Sequence, residues 1–263
     1  MKLPIYQVDA FTARLFGGNP AAVVPLSAWL PDATLLAIAA ENNLAETAYF
    51  VPLADGSYHL RWFTPAVEVD LCGHATVAAA YVLAHCLGQS DAVFRFGSLS
   101  GELLVSRDGD RFVLDFPARP PVERLMADPG YGAALGSAPA ELWNGKMILA
   151  VYADAATVQA LRPDFRALGA VVPFGLIATA PGSGGVDFVS RFFAPNAGID
   201  EDPVTGSAHC VLTPYWARRL SKSKLHAHQI STRRGELWLE DRGARVSIAG
   251  HAALYLEGSI RVP

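Results

Sequence analysis

The chain has 263 residues, 51% of them apolar and 17% charged, with a formal net charge of −4. A chain of this size buries a large core and sits where one core commonly divides into two, and its mild acidity gives no basis for binding nucleic acid. No apolar run reaches the roughly 18 residues that span a bilayer, no signal-peptide core follows the N-terminus, and three cysteines (Cys72, Cys86, Cys210) without CxxC or His/Cys ligand spacing suggest neither a disulfide framework nor a zinc site, so a soluble cytoplasmic protein without metal is expected.

In chain order, the segment MKLPIYQVDAF opens in strand-like alternation, and AAVV follows the glycine loop GlyGlyAsnProAla. Asn19 in that loop is a candidate ligand contact, although Asn-Pro is also an ordinary turn and the turn is the simpler reading. A helix ending at AsnAsn leads through Glu46 into the strand ThrAlaTyrPheVal, and HLRWF is the next strand. Residues 70–76, DLCGHAT, then place an acid, a thiol, a glycine, an imidazole and a hydroxyl at the entrance of an apolar helix expected near 75–86. ELLVS and RFVLDF alternate as strands, and the proline-rich AlaArgProProVal at 118–122 reads as a linker. Beyond it, FVSRFF is a strand and a second apolar helix is expected near 207–219. The cluster ArgArgLeuSerLysSerLys after that helix suits the negative end of its dipole. ELWLE, RVSIA and AlaLeuTyrLeuGluGly complete the strands.

The second half repeats the first. RWFTPAVEVD (61–70) matches RFFAPNAGID (191–200) at Arg61/Arg191, Phe63/Phe193, Pro65/Pro195 and Asp70/Asp200, a constant offset of 130. After three inserted residues, CysGlyHisAla (72–75) lies against ThrGlySerAla (205–208), and GELLVSRDGDR (101–111) matches GELWLEDRGAR (235–245) at offset 134. Two matches in the same order indicate a degenerate duplication. Both helices are apolar nearly all round, so they are enclosed rather than laid on a surface. The expectation is an α+β protein of two pseudo-symmetric domains, each a curved, barrel-like mixed or antiparallel sheet wrapped around a central helix. The halves run 1–118 and 122–250, and the last strand, about 252–263, is a candidate to return to the first.

Each enclosed helix starts at a glycine after polar residues, and its free N–H groups and positive dipole end suit an anion. Two such termini facing each other across a cleft imply a small carboxylate ligand. Taken singly, Asp70 and Asp202 would more simply cap helices, with the glycines making turns. Asp200, Glu201 and Asp202 crowd three acids, a pattern that raises the pKa of one member. Glu46 has no counterpart, since the offset of 130 places Leu176 opposite it. A carboxylate among Leu, Ala, Tyr and Phe is expected to be desolvated, with its pKa raised toward the pH at which a base works.

These stretches carry a resemblance. FxGNPAAVV (16–24), NNLAETAYFV (42–51), RWFTPxxEVDLCGHAT (61–76) and RFFAPxxGIDEDPVTGSAH (191–209) resemble the phenazine-biosynthesis (PhzF-like) isomerase family, which shares its duplicated fold with diaminopimelate epimerase and proline racemase. The resemblance implies a cofactor-free, homodimeric isomerase in which Glu46 moves a proton between carbons. His74, Asp202 and Ser207 would hold or polarise a cyclic substrate, and Gly73 and Gly206 would offer N–H groups. A rival reading is a racemase built on Cys72, because the related racemases use two facing thiols. Here Thr205 stands opposite Cys72 and Cys210 lies three residues beyond Ser207, which disfavours it. A third reading, a small-molecule binding module without catalysis, would keep the helix termini and have no use for Glu46.

Overall fold

In the computed structural model, which describes residues 1–126 and 128–263, the chain divides into two units: Met1–Asp115 with Ala249–Pro263, and Phe116–Ile248. In chain order the first contains β1 (Lys2–Ala10), β2 (Asn19–Pro25), α1 (Asp32–Asn42), β3 (Glu46–Pro52), β4 (Tyr58–Phe63), β5 (Glu68–Val69), α2 (Gly73–Tyr81), β6 (Val93–Ser98), β7 (Gly101–Asp108) and β8 (Arg111–Pro117). The second contains β9 (Glu123–Leu125), α3 (Pro129–Leu135), β10 (Glu141–Asn144), β11 (Ile148–Val151), α4 (Ala155–Ala160), α5 (Phe165–Val171), β12 (Leu176–Pro181), β13 (Phe188–Ala194), β14 (Ile199–Asp202), α6 (Gly206–Leu220), β15 (Lys224–Gln229), β16 (Gly235–Asp241) and β17 (Arg245–Gly250). The last strand, β18 (Ala252–Arg261), pairs antiparallel with β1.

The repeat seen in the sequence is a repeat of strand pairing. In the first unit β2 and β3 are parallel, β3 and β4 antiparallel, β4 and β6 parallel, β6 and β7 antiparallel. In the second unit β11 and β12, β12 and β13, β13 and β15, and β15 and β16 follow the same order of senses. The α+β class and the sheet around a helix are therefore present in each unit. Strands with one face to the core alternate, as in β8, whose residues switch between half-buried and buried. β13, bonded on one side to β12 and on the other to β15, is buried at every residue, which is why FVSRFFA reads as a continuous apolar run.

The two central helices are built differently for the same enclosure. α2 is buried at every residue from His74 to Ala80, and its alanines let β1, β2, β3, β7 and β18 close around it. α6 carries Trp216 and Tyr215 instead, with Trp216 stacked on Phe188 of β13 (ring centroids 5.6 Å apart, planes at 5°). α6 also contains Pro214, which has no N–H and so releases the carbonyl one turn back, that of Cys210. The backbone N–H of Arg119 takes that carbonyl at 2.9 Å. The proline-rich segment that reads as a linker thus satisfies the acceptor that the helix's own proline leaves open.

Candidate active site

In the first unit, three separate stretches bring four side chains together. α1 ends at Asn42, with Asn43 capping it in the left-handed region (φ 49°), and the Asn42 amide donates to the Thr47 hydroxyl at 3.1 Å. This turn delivers Glu46 as the first residue of β3, paired with Ala21 of the parallel neighbour β2. β2 itself begins with Asn19, which is fully buried. Cys72, in extended conformation (φ −141°), is the N-cap of α2, so Gly73 and His74 are the first two helical residues.

His74 is the hub. Its Nε2 lies 3.1 Å from Glu46 Oε2, its Nδ1 lies 3.2 Å from the Asn19 side-chain amide, and the Cys72 Sγ sits 3.5 Å from Nδ1. The side chains of His74 and Glu46 are only 7% and 13% exposed. With the amide nitrogen of Asn19 turned to the ring, Nδ1 is the acceptor and the ring proton faces Glu46 from Nε2. A second proton on Nδ1 requires the amide to turn and present Oδ1. Asn19 is therefore a strand residue that orients an imidazole, not the exposed turn that Asn-Pro suggests.

The electrostatics reverse one expectation. Burial alone would raise the Glu46 carboxyl's pKa, but the imidazole of His74 beside it outweighs burial and holds it below the ordinary value. Burial and the N-terminal end of α2 both oppose charge on His74, yet its pKa lies well above the ordinary value because of Cys72 and Glu46. Of those two neighbours the carboxylate is the one ionised near neutrality, since burial pushes the Cys72 thiol up to about 11. The sequence reading saw an apolar setting for Glu46 and missed the cation that the fold places against it. Glu46, Cys72 and His74 also put one potential metal-ligand atom each within 4.8 Å of one another. Metal binding there would require loss of the thiol proton and displacement of the Glu46–His74 pair.

The second unit presents its own set. Asp202 is the last residue of β14, buried, and its carboxylate accepts from the Thr205 hydroxyl. Thr205 is the N-cap of α6, so Gly206 and Ser207 hold the same first and second helical positions as Gly73 and His74 do in α2. A residue that the sequence reading passed over anchors this loop. Gln229, at the end of β15 and fully buried, accepts from Thr205 N at 2.9 Å and donates to the Asp202 carbonyl at 2.7 Å and to Thr205 Oγ1 at 3.1 Å. Nothing in LysLeuHisAlaHisGln marks it. His209, also overlooked, donates Nδ1–H to the Thr205 carbonyl at 2.8 Å and is held neutral by burial, its pKa lowered to about 4.

The strand sends the three acids of this loop into different surroundings. Along β14, Asp200 is exposed, while Glu201 takes a two-pronged bond from Arg191 at 2.7 and 2.8 Å. The first unit contains the same device, Arg61 on Glu68 at 2.7 and 2.6 Å, so the repeated arginine serves architecture. Cys210 does not supply a second reactive thiol. It is the fifth residue of α6, its Sγ lies 3.7 Å from the Gly206 carbonyl, and burial pushes its pKa to about 12. Leu176 occupies the first position of β12 as Glu46 does of β3, and it is fully buried in an apolar core.

Known proteins resemble this chain over nearly its whole length. The sequence profile of the phenazine biosynthesis-like (PhzC/PhzF) family matches residues 8–258. An uncharacterized isomerase of Pseudomonas aeruginosa is 53% identical over 262 residues, covering all of both chains. A crystal structure of a PhzF-family phenazine biosynthesis protein from Enterococcus faecalis superposes with a TM-score of 0.97 at 47% identity, again covering both chains fully. The fold alone extends further, to a hydroxyproline epimerase from Agrobacterium vitis with a TM-score of 0.60 at 10% identity, over 98% of this chain and 91% of that one. The protein is an isomerase. It belongs to the phenazine biosynthesis-like (PhzF) family.

Proposed function

We propose that this isomerase moves a proton between two carbons of a small cyclic carboxylate or amino acid without a cofactor, with Glu46 as the acid and base. The observation that carries this reading is the state of Glu46. Its Oε2 is buried 3.1 Å from His74 Nε2, and a carboxylate has more acceptor sites than that one neighbour engages, so a lone pair remains for a substrate C–H. The carboxylate is ionised at rest and ready to accept. When it takes the carbon-bound proton its charge disappears, and the imidazolium of His74 loses its partner just as negative charge develops on the substrate. His74 then becomes the donor that stabilises that charge. Proton return from Glu46 to the second carbon restores the pair.

The reading counts Asp202 with Glu46 and His74 as catalytic and gives Gly206, Ser207 and Asn19 to substrate binding, with Gly73 offering its N–H group at the start of α2. A helix terminus of this kind suits the substrate's carboxylate. The reading also takes the enzyme to be a cytoplasmic homodimer with a biosynthetic role. Among the described residues no helix is long and apolar enough to cross a membrane. Sedimentation of the purified protein tests the dimer.

The deciding experiment is a screen of cyclic amino and hydroxy acids in deuterium oxide, read by proton NMR. Solvent deuterium entering carbon together with a shifted double bond or substituent supports the proposal. Ligands that bind without any carbon-bound exchange would leave a binding module as the better account.

A further inference from the structure

Strands β15 and β16 carry a second cluster of ligating side chains, one that the proposed isomerisation does not use. His226 and His228 are two residues apart on β15, so their side chains share one face of the sheet. The register sets Glu236 opposite His228 and Trp238 opposite His226. Trp238 stacks on the His226 ring, with centroids 5.3 Å apart and planes 13° from parallel, which fixes the plane of that ring. His226 Nε2 lies 2.8 Å from Glu236 Oε1, and His228 Nε2 lies 3.6 Å from the same oxygen. One ligand atom from each of the three residues falls within 4.8 Å of the others.

The arrangement suits a cation. The Nδ1 of His226 faces the Gly185 carbonyl at 3.3 Å, and a carbonyl only accepts, so Nδ1 carries the proton. Its Nε2 is the ring nitrogen turned to the Glu236 carboxylate oxygen. His228 aims a second imidazole nitrogen at the same oxygen. The three ligand atoms lie close enough together to share a divalent ion. In a tetrahedral site with metal–nitrogen and metal–oxygen distances of about 2.0–2.2 Å, ligand atoms stand about 3.3 Å apart, between the two separations present here. The carbonyl on the far nitrogen of His226 is the usual partner of a metal-bound imidazole. The side chains of His228 and Glu236 are 38% and 41% exposed, which leaves a fourth position to water.

We propose that His226, His228 and Glu236 form a binding site for a first-row divalent transition metal ion, of the zinc class, separate from the residues assigned to catalysis. Two imidazoles and one carboxylate favour zinc, copper or nickel over magnesium or calcium. This departs from the expectation of a metal-free chain, because the third ligand, Glu236, joins the two histidines only through the pairing of β15 with β16.

The test uses the full-length, tag-free protein stripped with a chelator, titrated with zinc by calorimetry and with cobalt by visible absorption. One equivalent should bind, and His228→Gln and Glu236→Gln should each weaken it by at least about tenfold, given that even outer partners of a metal ligand matter by 10- to 100-fold. Cys72→Ser should leave affinity unchanged and no thiolate-to-cobalt band should appear. Both substituted positions are well exposed, and circular dichroism verifies the fold; if one variant unfolds, the other decides. No saturable binding up to about 1 mM zinc, binding that both variants retain, or binding that Cys72→Ser abolishes would each overturn the proposal.

Discussion

Glu46→Gln is the perturbation that reaches deepest, because it tests the charge state of the site before any substrate is known. The glutamine keeps the side chain's shape and removes the charge 3.1 Å from His74 Nε2. At that separation, with an effective dielectric of about 20, the lost attraction is roughly 5 kcal/mol as an upper bound. Burial and the end of α2 are then left to act on the imidazole alone, and both disfavour its charge. The His74 titration midpoint should fall from above the ordinary value of 6.5 to below it. Nitrogen-15 chemical shifts of the ring, followed against pH, read this directly, and Cys72 remains a thiol throughout. Stability should change with it. In the wild type the raised His74 pKa stabilises most fully below 6.5 and fades as pH rises through the folded pKa. The lowered Glu46 pKa stabilises above 4.5 and fades as pH falls through its folded value, so the pair contributes most between these two limits. Glu46→Gln should flatten that window. With a substrate in hand, turnover should drop about 100- to 10,000-fold while binding persists. An unchanged His74 midpoint would refute the ion pair, and wild-type turnover would refute the base.

Cys72→Ser should keep activity within about tenfold, since a thiol with a pKa near 11 contributes packing and weak polarity; a loss of several orders of magnitude in a folded variant would transfer the mechanism to the sulfur. Gln229→Leu should destabilise by about 2–5 kcal/mol in urea denaturation, because it strands the Thr205 N–H and the Asp202 carbonyl in a buried loop. A change under about 0.5 kcal/mol would show that loop to be held otherwise. His209, neutral when folded with a pKa near 4 against an ordinary 6.5, binds its proton more readily in the unfolded chain. Stability should therefore fall by up to about 3 kcal/mol from neutrality to pH 4, and His209→Asn should remove that part of the slope in calorimetric scans taken across the range.

The sequence by itself determined the duplication, the enclosed helices and the family. These rest on local pattern, the period of apolar residues and motifs repeated at constant offset, and such patterns survive because each half must bury a helix inside a sheet. Glu46 stood out for a related reason: Leu176 shows what that position holds when the scaffold needs only packing. What the sequence left undecided were relations across the fold. Cys72, His74, Glu46 and Asn19 meet because β2, β3 and the start of α2 converge, and only that convergence reveals that Glu46 is lowered by a neighbouring imidazole and not raised by its apolar setting. Asn19 reads as a turn until pairing with Ala10 places it in a buried strand. Glu201 reads as one of three crowded acids until β13 brings Arg191 against it. Gln229 and the His226–His228–Glu236 cluster have no local signature, because a buried hydrogen bond or a shared oxygen depends on which strands are neighbours. Charge and proton position are set by whichever groups lie within a few ångströms, and the groups facing Glu46 and Glu201 stand 10 residues or more away in the chain.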